Sequence, residues 1–133
     1  MENFKCNLIE EGIHIQGDAR NLNGESYPVS LLLSYEETSL SFAKGNDWAK
    51  EHGGAMPTRA QWYQTIQPHR EEINALLKEA GKKEISASWY WTCEEYANDK
   101  DFAWLVYMLN GSTYYRIKHN ANYVRAVSAF PRQ

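Results

Sequence analysis

The sequence predicts an α+β fold: short N-terminal strands, then helices, then an antiparallel sheet in the C-terminal half. Three observations carry this. Apolar residues recur at helical spacing up to Ala80, the period falls to two after Lys83, and Asn110-Gly111 stands between two alternating runs as a hairpin turn would. Helices followed by strands is the α+β order. With 133 residues the chain is the size of one domain. It reads as a single domain over 1–133, in which 45–130 form the core and 1–44 hold strands without a firm assignment.

Ile13 and Ile15 share one face of a short strand that Gly17-Asp18 should end. Residues 21–28 are turn-rich, and Val29 to Leu33 is a compact apolar run fit for a buried strand. Residues 34–45 give no clear pattern. Trp48 and Ala49 belong to a short helix that stops at Gly53-Gly54, since glycine accepts the left-handed exit. Thr58 and Gln61 have capping-box spacing, and Trp62 and Ile66 face the core together one turn on. Pro68 begins a second helix with Ile73, Leu76, Leu77 and Ala80 as its apolar stripe and Gly81 at its end. Ala103 to Leu109 and Thr113 to Lys118 then form the hairpin. Tyr123 to Ala129 is the final strand, with Val124 and Ala126 on one face.

Hydrophobic residues at 43% allow a real core, and a net charge of -3 argues against a general nucleic-acid binder, which would show a basic face. Arg116, Lys118, His119 and Arg125 make the C-terminal ribbon locally basic, a pattern that fits a solvated strand edge. Cys6 and Cys93 match no metal or redox spacing and read as free thiols. Met1 to Cys6 lacks the basic start and apolar block of a signal peptide, so the expected compartment is the cytoplasm. A virion assembled there would have the same composition. No apolar run approaches the ~20 residues that span a bilayer, so no membrane insertion is expected.

Function is most legible from Ser88 to Phe130, where Trp, Tyr, Asn and Ser alternate in short runs. Wide amphipathic rings with adaptable polar groups are the chemistry of recognition surfaces. No nucleophile, base and orienting group stand at close spacing. Glu94 and Glu95, as strand neighbours, point to opposite faces and cannot flank one bond without a bulge. Glu95, Asn98, Asp99 and Asp101 offer oxygens for calcium but follow no known loop signature. His14, His52, His69 and His119 are scattered without an i, i+4 pair, which disfavours zinc. No metal or cofactor is therefore expected.

Two segments together carry a family resemblance: Gly53 to Trp62 (GGAMPTRAQW), and Trp89 to Tyr96 (WYWTCEEY) followed by Ala103-Trp104, Asn110-Gly111 and Tyr123 to Val127. In this order they resemble the formylglycine-generating-enzyme-like branch of the C-type lectin fold. The similarity is greatest to bacterial and phage ligand-binding proteins and to the variable proteins of diversity-generating retroelements. It covers residues 45–130 and implies two or three helices packed on a short twisted antiparallel sheet that displays variable side chains. It assigns framework duty to Trp89, Trp91, Ala103, Trp104, Gly111, Val124, Arg125 and Val127. The chain departs from the usual pattern at Thr92-Cys93 and at Ala126. The enzymes of this branch need a pair of reactive cysteines that Cys6 and Cys93 do not reproduce, nor is there a histidine-rich iron site.

The expected function is thus a non-enzymatic, adhesin-like or receptor-binding module, with a small oxidoreductase of that branch as the alternative. Its partner would be a protein or a surface glycan. With Trp104 as framework, its face of the strand (Trp104, Val106, Met108) should be core, and Tyr107 should face out. Tyr114 with Arg116 should be displayed and Ile117 buried, with Tyr115 exposed if a bulge follows the turn. Tyr96, Asn98, Asp99, His119, Asn120 and Asn122 should reach the same surface from loops.

Overall fold

A computed structural model describes residues 4–130; the N-terminal reading at Met1 to Asn3 lies outside them. Two antiparallel hairpin connections join β1 (Lys5–Ile9), β2 (Gly12–Arg20) and β3 (Ser26–Leu33). Along β2, Ile13, Ile15, Gly17 and Ala19 are buried and His14, Gln16 and Asp18 between them are half-buried, the alternation of a strand covered on one face. The strand does not end at Gly17-Asp18. Gly17 lies inside it, and the turn comes at Asn21, whose side-chain oxygen accepts from the N–H groups of Asn23 and Glu25.

Residues 34–45, unreadable in the sequence, form β4 (Thr38–Leu40) and the start of α1 (Phe42–Glu51). Phe42, Gly45 and Ala49 make the buried face of α1. Gly45 lets this helix approach closely, for a Cβ there would stand 3.0 Å from Val124 and 3.1 Å from the Met56 sulfur. After Gly53, at φ +82°, Gly54 lies so near Val127 that a Cβ would meet its carbonyl oxygen at 2.3 Å. The capping box forms as expected: Thr58 N–H donates to Gln61 Oε1 (2.9 Å) and Gln61 N–H to Thr58 Oγ1 (3.1 Å). The segment it opens is a π-helical turn, Gln61–Ile66, followed by a 3-10 turn, Gln67–His69. Pro68 has no N–H to continue an α-helix, so the backbone widens before it. The second α-helix, α2, therefore begins at Arg70 and runs to Glu79. Of its stripe, Ile73 and Leu77 are buried, Leu76 is half-buried and Ala80 is exposed. Asn74 is buried too and exchanges two hydrogen bonds with the Ile85 backbone.

The remaining strands are β5 (Trp89–Glu95), β6 (Phe102–Tyr107), β7 (Thr113–Ile117), β8 (Asn122–Val124) and β9 (Val127–Ala129). The expected single final strand is split. β8 joins a five-stranded sheet ordered β4-β8-β5-β6-β7, while β9 closes a four-stranded sheet ordered β1-β2-β3-β9. Between them Arg125 turns inward. It is fully buried, with Nε donating to Glu37 Oε1 (2.8 Å) and the guanidinium reaching the carbonyls of Ser34, Tyr35 and Lys83. The β6–β7 connection is also wider than a two-residue Asn-Gly turn. Its last rung is Tyr107 N–H to Ser112, because Met108 is drawn into the core and donates to the Ser88 carbonyl.

Two apolar clusters fill the molecule. One gathers Ile13, Leu33, Trp62, Ile73, Tyr90, Val106 and Met108; the other gathers Phe42, Ala49, Trp91, Ala103, Leu105 and Val124. The central strands β5 and β6 are thus covered on both faces. The expectation that Trp104 faces the core and Leu105 faces out is overturned: Leu105 is fully buried and Trp104 only half. A reading with one wet face does not hold where helices and a second sheet cover both.

Tyr90 couples the clusters to the buried pair. Its hydroxyl donates to Glu37 Oε1 (2.7 Å) and accepts from the Ser86 N–H (2.9 Å). Burial first, then the Glu37 carboxylate, push its phenol well above the ordinary tyrosine range. Above pH ~10 an unfolded tyrosine releases its proton while folded Tyr90 keeps it, so the unfolded state binds fewer protons and stability falls as pH rises. Melting temperature followed into alkali should drop from pH ~10 upward, and Tyr90→Phe should flatten that slope. An equal slope in the variant would show that Tyr90 does not set it.

Candidate functional site

The β6–β7 hairpin projects from the end of the five-stranded sheet, and β7 is its outer strand. The register pairs Trp104 with Tyr115 and Leu105 with Tyr114, so adjacent tyrosines stand on opposite faces. On one face the Tyr115 ring stacks on Tyr96 (4.0 Å between centroids, 13° between planes) and meets the edges of Trp104 and Phe102. On the other face Trp89 stacks on Tyr107 (4.8 Å) and leans toward Tyr114 (6.4 Å). Tyr114 and Tyr115 close the gap around the edge at 5.1 Å. The rings therefore form one unbroken ribbon from Tyr96 round to Tyr107.

Beside the ribbon is an open cleft of about 580 Å³, lined by Arg59, Ala60, Tyr63, Glu94, Gly111, Ser112 and Thr113. Arg59 sits where the capping box places it, and its guanidinium lies 4.1 Å over the Trp104 ring. Glu94 holds it there. Its carboxylate accepts from the Arg59 backbone N–H (2.6 Å), from Nε (3.1 Å) and from Nη2 (3.0 Å). The two glutamates are divided between two cations as expected of neighbours, for Glu95 pairs with Lys118. A register shift between Trp91 and Glu95 does not bring them together. Cys93, also on β5, is a free thiol at the surface, pushed up by partial burial and by Glu94.

The sequence-predicted residues divide into four sets. Tyr96, Tyr107, Tyr114 and Tyr115 are joined in the ribbon; Tyr115 needs no bulge, since β7 stays in register with β6 throughout. Asn98, Asp99, His119 and Asn120 are exposed in two turns at the far end of β7, tied together by the Lys118 N–H to the Asp101 carbonyl (2.8 Å). Arg116 is exposed on the Tyr114 face. Asn122 does not belong with them: it starts β8, pairs with Leu40 and has its side-chain nitrogen buried. Ile117 is not buried either but 38% exposed, because β7 has no layer packed over it. Trp89, Trp104, Arg59 and Tyr63 are the site residues that sequence reasoning missed. For Trp89 and Trp104 the signal lies in strand alternation, which the framework assignment masks; Arg59 and Tyr63, just before and within the π-turn, carry no such signal.

No protein-family model, curated protein or solved structure matches the chain. What the surface can do rests on its own chemistry. Among the described residues no three His, Cys, Asp or Glu side chains come together as metal ligands would, and no helix is long and apolar enough to cross a membrane. The neighbouring Tyr96 hydroxyl pushes the Tyr115 phenol up from the ordinary tyrosine value. The ribbon offers ring faces and edges for stacking, hydroxyls for hydrogen bonds, and two guanidiniums at its margins.

Proposed function

We propose that this chain is a non-enzymatic, adhesin-like binding module on a C-type-lectin-like scaffold, with the aromatic ribbon as its recognition surface for a protein or a surface glycan. The continuous chain of rings from Tyr96 to Tyr107 carries this reading. A contiguous aromatic surface that solvent reaches supports an interaction site, and Tyr and Trp lose little entropy when they are held. The scaffold reading is supported by the burial of Trp91, Ala103, Val124, Arg125 and Val127, which the resemblance treats as framework. Trp89 and Trp104 depart from it by lying at the surface and joining the ribbon. A phage-borne or retroelement-diversified variable protein fits the same reading, and a reverse-transcriptase gene with a template repeat beside this one would mark it as diversified.

Glycan and protein arrays identify the ligand. Tyr96→Ala and Tyr114→Ala should then weaken binding by at least ~1–2 kcal/mol each, roughly tenfold, with the fold retained. Unaltered affinity in both variants would move the recognition surface elsewhere.

A further inference from the structure

The outer strand of the hairpin carries a second reading, independent of the first. At the two ends of the β6–β7 ladder, Tyr107 N–H donates to Ser112 and Lys118 N–H to Asp101, both at 2.8 Å. The register between them is unbroken, from Val106 opposite Thr113 to Phe102 opposite Ile117. Hydrogen-bonded and non-hydrogen-bonded pairs alternate along an antiparallel ladder. Tyr114 and Arg116 therefore turn their backbone groups toward β6, and Thr113, Tyr115 and Ile117 turn theirs away from the sheet. Among the described residues only the Ile117 carbonyl of this outward set has a hydrogen-bond partner, the Asn120 N–H at 3.2 Å.

Such an edge invites another strand unless it is short, bulged, proline-bearing or covered. The other edges of the two sheets are so protected. β4 and β9 have three residues each, and α2 packs against β1. β7 has five residues, no bulge and no proline, and it packs extensively only on β6.

We infer that β7 pairs with β7 of a second copy of this chain, antiparallel and about a two-fold axis at Tyr115. The strand is self-complementary in that register. Tyr115 meets its own counterpart, and Thr113 meets Ile117 of the partner subunit through outward-facing groups on both sides. Tyr114 falls opposite Arg116 of the partner subunit on the same face, a cation over a ring, twice by symmetry. Arg116 has no ion-pair or hydrogen-bond partner within its own described chain, so it is available. No like charges are placed opposite each other. The pairing closes the contact at two copies and joins two five-stranded sheets into one. The rings stand above and below the sheet, so the two ribbons merge into one two-fold platform that remains open on its faces.

Sedimentation velocity on the full chain, from micromolar to near-millimolar concentration, tests this. The mass should rise from 15.4 kDa to twice that value. Tyr115→Lys, which sets two like charges across the axis, should keep the chain at 15.4 kDa with its circular dichroism preserved, its melting temperature lowered only by the lost ring contacts. Tyr115→Cys, in a background with Cys6→Ser and Cys93→Ser that leaves no other thiol, should cross-link to a covalent dimer on mild oxidation, since directly opposed residues of such a pair lie about 5.5 Å apart at Cα. A monomer at every concentration overturns the inference. So does a dimer that survives Tyr115→Lys while Tyr115→Cys fails to cross-link. A monomeric chain that takes an unrelated extended peptide on β7 overturns it as well. Ligand binding enters none of these readouts, so this inference and the recognition surface can fail separately.

Discussion

Arg125→Ala should lower the unfolding free energy by ~3–5 kcal/mol, the range for breaking a buried ion pair from one side. Small domains hold only ~5–15 kcal/mol in total, so much of the population should be unfolded in mild urea. The guanidinium is fully buried, and the Glu37 side chain that it faces is 3% exposed. Removing the arginine leaves that carboxylate in the interior with the Tyr90 hydroxyl as its one remaining donor among the described residues. It also strips donors from the carbonyls of Ser34, Tyr35 and Lys83. These acceptors come from the chain before β4 and from the loop before β5, so one side chain ties both segments to the β8–β9 crossover. The double variant Glu37→Leu with Arg125→Met should be less damaged than Arg125→Ala alone, because no unpaired charge stays buried. Urea unfolding of the three proteins checks this. A loss for Arg125→Ala of only ~0.5 kcal/mol, typical of surface substitutions, would mean that water reaches the site.

The same residue marks the boundary of what the sequence reveals. Local chemistry was legible: the capping box at Thr58 and Gln61, the left-handed exit at Gly53, and the alternation of Ile13 and Ile15 all state themselves within a few residues. The split of the last strand into two sheets was not. It depends on Arg125 finding Glu37, 88 positions away, and on Val127 exchanging hydrogen bonds with Ala55. The π-helical turn was hidden for another reason, because Trp62 and Ile66 sit on one face in an α-helix and in a π-turn alike. At the candidate site, composition pointed to the right tyrosines, but face assignment failed at Trp104. Period two tells which residues share a face and is silent on which face is covered. With α1 under Leu105 and the π-turn over Tyr90 and Val106, both faces of the sheet are core near its centre, and Trp104 falls just beyond the cover.

Two tryptophans of nearly equal prominence in the sequence should therefore behave oppositely. Trp62 is fully buried, its indole N–H donates to the Trp91 carbonyl (3.1 Å), and its ring lies 5.0 Å from that of Tyr90. Trp62→Ala removes the largest side chain at the junction of the π-turn and β5, leaving a cavity and an unpaired carbonyl, at a cost of ~3–5 kcal/mol. Trp104 is half-buried at the rim, held by the Arg59 guanidinium on its face and by edge contacts to Tyr96 and Tyr115. Trp104→Ala loses those aromatic and cation contacts, each about 0.5–1.5 kcal/mol, and opens its space to solvent rather than to a cavity. Its stability loss should be no more than about half that of Trp62→Ala. Its effect on ligand affinity should be the larger one, because Trp104 is itself part of the ribbon and gives Arg59 and Tyr115 a shared ring beside the cleft. Thermal unfolding and ligand titration of both variants give the comparison. If Trp104→Ala unfolds as readily as Trp62→Ala, the ribbon is structural rather than presented. If it folds normally and binds ligand with unchanged affinity, Trp104 and the Arg59 cleft stand outside the recognition surface.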